Sequence, residues 1–410
     1  ADKYCGPGDL IYAWSASFGP FIWTGPRVIY HYHIWKLDLF SEADTCKQFL
    51  HLYLQQKTRE IKDSGHGISM VHMTKEKMER LAVPLPPLSE QHRIVAKVDE
   101  LMALLGRLDA ARSAREATRD RLTTASLTRL TAADTDPEAL RTHARFALEA
   151  LPALTTRADQ IKQLRQAILS LAVRGKLIEQ DPTDEPGSAL LARVESDKEG
   201  LRLRTRDARI KSARAPGPAL LPIDLPVGWA VQSFENLFLF IDYRGQTPPK
   251  TANGFPLITA KNVRMGCLNR DPAEFVSEET YQRWMTRGLP RLGDLFFTTE
   301  APLANVCVND MAEPFALAQR VVCLQPYGSI DTRFFALAIM SEPLQRLIGD
   351  HSTGLTAKGI KMARLKPLPL PVPPVAEQNR IVAKVDELMA LCDRLEAALQ
   401  ATDATRARLL

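Results

Sequence analysis

The chain spells one fifteen-residue stretch twice. Residues 90–104 read EQHRIVAKVDELMAL and residues 377–391 read EQNRIVAKVDELMAL, with one difference. The match continues without a gap over 90–122 and 377–409, where 24 of 33 positions agree. Upstream, VPLPPLSEQ answers PVPPVAEQ, and Asp63 and Gly67 answer Asp350 and Gly354 in the same register. Further back, Gly8-Asp9-Leu10 answers Gly293-Asp294-Leu295 with a shift of two residues. The duplicated unit is therefore a domain plus the segment that leaves it. The exit segment is nearly unchanged between copies, whereas the domain has diverged.

Spacing identifies the exit segment as a helix. Ile94, Val98, Leu101, Leu105 and Leu108 step by four and three, the apolar seam of a heptad. Ile381, Val385, Leu388, Cys392 and Leu395 repeat it. Pro84, Pro86 and Pro87 block an earlier start, as do Pro371, Pro373 and Pro374. Ser89 is the expected N-cap of the first copy, and Glu90 suits the positive end of the helix. About 35 residues at 1.5 Å each make a rod of roughly 50 Å. A seam of this kind needs a partner. The expected partner is the other copy, running antiparallel, which would hold the two domains at opposite ends about a pseudo-twofold axis. A parallel pair, or each helix packing on its own domain, remains open.

The expected class is α+β, with two globular recognition-type domains separated by long antiparallel coiled-coil helices. Residues 1–87 form the rear part of a first domain, 88–215 a helical spacer, 216–375 a second domain and 376–410 the final spacer helix. Within the spacer, DQIKQLRQAILSLAVRGKL carries an apolar stripe of Ile161, Leu164, Ile168 and Leu171, ended or bent at Gly175. EQDPTDEPGSAL and the neighbourhood of AADTDPEAL read as loops, 190–211 as a short charged helix, and ARAPGPALLPIDLPVGW as a linker. The second domain mixes β-type runs (FENLFLFIDY, FPLITAKNV, DLFFTT, QRVVCLQ) with helical pieces near EETYQRWM and DTRFFALAIMSEPLQRLI. Residues 225–291 have no counterpart at the front, and the chain lacks an initiator Met, so both ends read as shortened.

Composition narrows the function classes. The formal net charge is +5 over 410 residues, which permits nucleic-acid binding without requiring it. No apolar run is long enough to span a bilayer. The six cysteines are scattered with no C-x-x-C pair, which fits reduced thiols in a cytoplasmic protein, with Cys392 in a core. There is no P-loop, no glycine-rich dinucleotide or adenosyl-cofactor loop, no N-P-P-[YF] or D-P-P-Y stretch, and no H-E-x-x-H or G-x-S-x-G. His31 and His33 fall on one face of an alternating strand. With no cysteine or acidic cluster beside them, a structural or surface pair is preferred to a metal site. No catalytic residue and no metal ligand is assigned; the pattern is that of a binding and scaffolding protein.

The order GDL, D-x-x-x-G, PLPP-x-x-EQ, occurring twice, together with QLRQAILSLAVRGKL and LPVGW followed by a strand and TPP, resembles the specificity (S) subunit of type I restriction–modification systems, the HsdS family. The resemblance covers nearly the whole chain. It implies two target-recognition domains, each reading one half of a split double-stranded DNA site in the major groove, with the coiled coil setting the gap. It also implies two docked modification (methyltransferase) subunits using S-adenosylmethionine to methylate adenine, and a restriction subunit with ATP and Mg for translocation and cleavage. The chain itself would bind no cofactor, perform no chemistry and touch no membrane. The alternative is a coiled-coil adaptor that does not read DNA.

Base readout needs Arg, Lys, Asn, Gln, Ser or Thr presented to groove edges. In the second domain the candidates are Arg244, Gln246, Thr247 and Lys250 in YRGQTPPKTANG; Lys261, Asn262 and Arg264 after a strand; and Ser352, Thr353, Thr356, Lys358 and Lys361 in DHSTGLTAKGIK. In the first domain the matching loop offers Ser64, His66, Ser69 and Lys75, with His72 the weakest. Each of these residues could equally be an ordinary solvated loop position.

Overall fold

A computed structural model describes residues 3–15, 17–64, 74–132, 136–243, 247–354 and 358–409. The chain divides into two compact units, residues 1–117 and 118–410.

The first unit contains β1 (Tyr4–Cys5), β2 (Leu10–Ala13), β3 (Gly19–Ile22), β4 (Val28–Ile29), β5 (Ile34–Leu37), α1 (Lys47–Ser64), α2 (Lys75–Glu79) and most of α3 (Leu88–Thr131). An antiparallel sheet of order β3-β2-β5 packs against α1 around Leu10, Tyr12, Phe18 and Leu54. The Tyr12 hydroxyl lies 3.0 Å from the Thr58 hydroxyl, so the buried phenol of that core has a partner. His31 and His33 sit in the turn before β5, not on a strand, and the His33 ring stands edge-on to Trp14.

The second unit contains the end of α3, then α4 (Pro137–Leu154), α5 (Ala158–Val173), α6 (Gly187–Thr205), β6 (Ala230–Ser233), α7 (Phe234–Leu237), β7 (Phe238–Asp242), β8 (Phe255–Ile258), β9 (Phe275–Val276) and α8 (Glu278–Trp284). There follow β10 (Leu295–Thr298), β11 (Val306–Val308), β12 (Ala316–Leu317), β13 (Val321–Pro326), α9 (Thr332–Met340), α10 (Glu342–Asp350), α11 (Met362–Leu365), β14 (Pro369–Val372) and α12 (Val375–Leu409). The antiparallel sheet β11-β10-β13-β7 is the centre of this unit. Its strands are continuous apolar runs because both faces are covered. Phe296 and Phe297 are fully buried, and Phe238 meets Phe335 of α9 edge-to-face at 5.5 Å. The loop expected at 132–140 is shorter than that. The Asp136 carboxylate accepts the amides of Glu138 and Ala139 at 3.0 Å, and α4 starts at once with Pro137 in its first turn.

The duplication extends to individual hydrogen bonds. The Asp9 carboxylate accepts the Gly6 amide at 2.8 Å, and the Asp294 carboxylate accepts the Arg291 amide at 2.7 Å. Gly8 and Gly293, just ahead of them, both have positive φ, 83° and 88°, so the shared Gly-Asp is a turn that sets up the next strand. Order β3-β2-β5 in the first unit answers β11-β10-β13 in the second. At the root of the exit helices, Gln91 Oε1 accepts the Cys46 amide at 2.7 Å and its Nε2 donates to the carbonyls of Asp44 and Pro86, both at 2.8 Å. Gln378 Oε1 accepts the Asp331 amide at 3.0 Å and its Nε2 donates to the Pro373 carbonyl at 2.9 Å. Each glutamine is fully buried, and each joins its exit helix to the start of the domain helix, α1 or α9.

Two expectations are corrected. Ser89 is not the N-cap: α3 begins at Leu88, and the Pro87 carbonyl accepts the amides of Glu90 and Gln91. The expected cover for the seam of the second copy is the other copy; within its own unit that seam is packed by α5, with α9 at its base. The pairing is antiparallel. Arg165 of α5 reaches Asp393 and Glu396, while Gln180, past its end, reaches back to Glu377. Ile381, Val385 and Cys392 are buried, Leu388 and Leu395 partly so, in one core with Ile161, Ile168 and Ala172. A helix of the α5 type offers an apolar stripe with the needed period, so the seam finds its cover inside its own unit.

Three of the quoted sequence motifs meet at this root. A Cβ on Gly175 would stand 2.4 Å from Pro226, so RGK and LPVGW touch only because residue 175 is glycine. The Trp229 indole donates to Glu377 at 2.9 Å, and Gln180 donates to the other oxygen at 2.6 Å. Arg380 closes the set on Asp184 at 2.6 Å. Burial pushes the Glu377 carboxyl above its ordinary range, against these donors.

Gln378→Ala and Gln91→Ala each strand a buried amide and at least one carbonyl. Each should lower the stability of its unit by about 2 kcal/mol in urea unfolding, whereas surface changes such as Glu387→Gln should stay within about 0.5 kcal/mol. The two Gly-Asp turns should differ in pH response. The Gly6 amide and Lys36 pull the Asp9 carboxyl below its ordinary value, whereas burial pushes that of Asp294 above it. For Asp294, the stabilisation is complete below the unfolded value and is lost as pH rises through the raised folded value. Asp294→Asn removes that titration, so wild type should lose stability relative to the variant as pH climbs through that window, read by unfolding across pH.

Candidate nucleic-acid interface

The β10–β11 hairpin carries the exposed polar loops of the second unit. Its turn is held by Thr298, whose hydroxyl donates to the Pro302 carbonyl at 2.6 Å and accepts the Asn305 amide at 3.0 Å. Ala301 and Ala304 take positive φ there, 47° and 63°, a strained course that the buried threonine supports. On one side the hairpin grips the turn after β8: Asn305 donates to the Val263 carbonyl at 2.9 Å, and Gly266 donates to the Val306 carbonyl at 2.8 Å. On the other it grips the segment after α10: the Ile360 amide donates to Thr299 at 2.9 Å, and Glu300 bridges Gly359. Thr353 and Gly359 exchange amide–carbonyl bonds at 2.8 and 2.9 Å, closing the base of that loop.

This scaffold leaves Lys261, Arg264, Thr353, Lys358 and Lys361 exposed on two segments pinned to one hairpin. Thr247 and Lys250 are exposed as well, with Lys250 paired to Glu274 at 2.8 Å. Lys75 is exposed on α2 of the first unit. Arg244, Gln246, Thr356, His66, Ser69, His72 and the side chain of Ser64 lie outside the described residues.

Asn262 is not a reader. It is 1% exposed, and both ends of its amide are used internally. Oδ1 accepts the Thr259 amide at 2.9 Å and the Thr259 hydroxyl at 2.8 Å, and Nδ2 donates to the carbonyls of Asn269 and Pro272 at 3.1 Å. It shapes the turn that presents Lys261 and Arg264. Ser352 is half-buried and donates to the Gly349 carbonyl at 2.6 Å, finishing α10 rather than facing outward.

Two exposed arginines outside the sequence candidates, Arg320 and Arg364, lie beside these segments. Arg320 lies at the hairpin and pairs with Glu300 at 2.8 Å, beside the Gly359 bridge. Arg364 extends from α11 toward the His351 carbonyl at 3.5 Å. Neither stands in a motif, and only the sheet register brings Arg320 to this end of β13. Among the described residues no group of three His, Cys, Asp or Glu side chains could hold a metal ion, and no helix is long and apolar enough to cross a membrane.

Comparison with known proteins fits this arrangement. The family described as "Type I restriction modification DNA specificity domain" matches residues 3–113 and 231–402, which are the two hairpin-and-helix copies. The chain belongs to this family. It is 27% identical over 342 residues to the type I restriction enzyme EcoAI specificity subunit of Escherichia coli, covering 81% of this chain and 57% of the relative. It is 26% identical over 349 residues to the EcoEI specificity subunit of the same organism, with the same two coverages. The chain thus spans little more than half the length of these curated relatives. In fold it is similar to a chain from a solved structure concerned with assembly and conformational transition of the type I R-M system, with TM-score 0.52 and 19% identity over 99% of this chain and 80% of that one.

Asn262→Ala should act on stability. It leaves the Thr259 amide and two carbonyls without partners, so unfolding should show a loss of about 2 kcal/mol. Lys261→Ala, on the exposed side of the same turn, should leave stability within about 0.5 kcal/mol.

Proposed function

We propose that this chain is a DNA-recognition subunit of a type I restriction–modification complex. The second domain reads one half of a bipartite double-stranded site through the two segments pinned to the β10–β11 hairpin, and the first domain reads the other half. The long exit helices set the distance between half-sites and dock two modification subunits. Those subunits hold S-adenosylmethionine and methylate adenine, while a restriction subunit supplies ATP- and Mg-dependent translocation and cleavage. The chain itself is not catalytic and works in the cytoplasm.

The observation that carries this reading is the mounting of exposed cations and hydroxyls on two segments bonded to the β10–β11 hairpin of the second unit, a hairpin frame whose strand order the first unit repeats. Base choice resides in a few groove-facing side chains and can vary, whereas half-site spacing is a rigid length and cannot. Exposed lysines beside hydroxyls suit the mixture of phosphate positioning and base-edge contact that duplex recognition uses.

The deciding experiment maps adenine methylation in host DNA with and without the gene. A two-part motif that vanishes on deletion supports the reading. Unchanged methylation, with modification subunits present, excludes it and leaves an adaptor without DNA reading. With the assembled methyltransferase, Lys361→Ala and Lys358→Ala should weaken binding to all sequences alike and each reduce the salt slope of log K by about 1. Thr353→Ala should change the preferred base at one position if it reaches a base edge, at a cost of about 1–3 kcal/mol.

A further inference from the structure

The outer strand of the central sheet, β7, lays its alternate residues Phe238, Phe240 and Asp242 along one side of a cleft of about 450 Å³. The segment after α6, the turn after α8 and the end of α11 enclose it, all within the second unit. They bring four cations to it: Arg209, Lys211, Arg287 and Lys366. None of the four is among the candidate base readers. Arg209 is matched locally, because both oxygens of Asp207 accept from its Nε at 2.9 Å, and its guanidinium also donates to the Arg287 carbonyl. The other three are not matched. Arg287 donates to the Asp242 carbonyl at 2.7 Å, a backbone group without net charge, and Lys366 stands over the Phe240 ring at 5.2 Å. Among the described residues Lys211, Arg287 and Lys366 form no ion pair, and the carboxylates of Glu235 and Asp242, which also line the cleft, do not pair with them.

Tyr327 supplies a second, independent observation. It lines the same cleft and is only 4% exposed, yet its hydroxyl has no hydrogen-bond partner among the described residues. A buried phenol ordinarily has one. The buried Lys198 ammonium, held by Asn236 Oδ1 at 2.7 Å, stands over the same ring at 5.6 Å and adds positive charge behind it. Burial pushes the Tyr327 phenol above its ordinary value, so it remains a donor through the neutral range. A ligand that fits must therefore accept a hydrogen bond at depth and carry more than one negative charge toward the lysines and arginine. A terminal phosphoryl group does both. A phosphodiester within a duplex carries a single charge and a sugar on either side, so it is poorly shaped to reach a residue set this deep. We propose that the cleft binds a small phosphate monoester, whose phosphoryl oxygens accept from the Tyr327 hydroxyl and are held by Lys211, Arg287 and Lys366. Occupancy ties the connector after α6 to the body of the second domain. It also bears on α11, which has Lys361 at its start and Lys366 at its end, and so on the mounting of the segment after α10.

The test uses the whole chain with inorganic phosphate and adenosine 5′-monophosphate as probes, against sodium chloride at equal ionic strength. Calorimetry should show saturable one-to-one binding, and each probe should raise the urea midpoint in a concentration-dependent way. Tyr327→Phe removes only the unpartnered hydroxyl. The unliganded midpoint should therefore hold, while the dissociation constant rises about fivefold or more. Lys211→Gln combined with Lys366→Gln should raise it about tenfold or more. Lys384→Gln, an exposed change on α12, should leave it unaltered. Added protection from hydrogen exchange over 207–211 and 286–287 with adenosine 5′-monophosphate, absent in Tyr327→Phe, supports the proposal. A last arm measures duplex binding by the assembled methyltransferase carrying the same substitutions. The proposal is overturned if neither probe binds beyond the chloride control, or if binding ignores the tyrosine and lysine substitutions. It is equally overturned if those substitutions weaken duplex binding and no small probe binds, which assigns the cleft to the nucleic-acid backbone instead.

Discussion

Each domain is joined to its exit helix at a fixed angle, and one buried side-chain amide holds that joint. Gln91 and Gln378 are sealed from solvent, and their polar atoms bond to backbone groups of the preceding loop and of the domain helix. A buried amide with an unmet partner is costly, so the bonds act as a lock rather than a preference. A long rod magnifies any error in its starting direction: over about 50 Å, a tilt of ten degrees would move the far end by roughly 9 Å. The glutamine, the prolines before it and the Gly-Asp turn therefore form one device that converts a β-domain into the mount of a strut.

The same logic separates what is shared between the copies from what differs. The hairpin, the Gly-Asp turn and the root bonds recur because each supports the geometry of the others. The loops bound to the hairpin contribute little to that geometry beyond their anchor points at Val263, Gly266, Gly359 and Ile360. Between those anchors, side chains can change without disturbing the mount. A protein that must keep a spacing while changing a target benefits from this division, and membership in the specificity-domain family fits it.

Much of the frame was legible from spacing alone. The heptad positions, the proline stops, the helix ending at Gly175 and most of the apolar strands of the second domain appear in the structure where periodicity puts them; Phe234–Leu237, expected at the head of a strand, forms the short helix α7 instead. The misses have physical causes. Asn262 has the composition of a base reader and lies beside two exposed cations, but residue type does not reveal that its amide folds inward on Thr259, Asn269 and Pro272. Ser89 matches an N-cap by type, yet the backbone had already turned helical at Leu88. Arg320 has no local signature, and the strand register alone brings it to the hairpin. For the glutamine of the EQ that opens both exit helices, two identical residues behind proline stops are the available signal for the lock, but residue type does not say which backbone groups it meets.

By itself the sequence determined the elements and their duplication, because hydrophobic period and proline position act within a few residues of where they stand. It also determined that each seam needs a cover, since an apolar stripe is a local property. Which surface provides that cover was decided only by the tertiary structure. The stripe of α5 satisfies the period, and its seat on the α12 seam rests on long-range groups that meet only after folding: Arg165 with Glu396, Gln180 and Trp229 with Glu377, and Asp184 with Arg380.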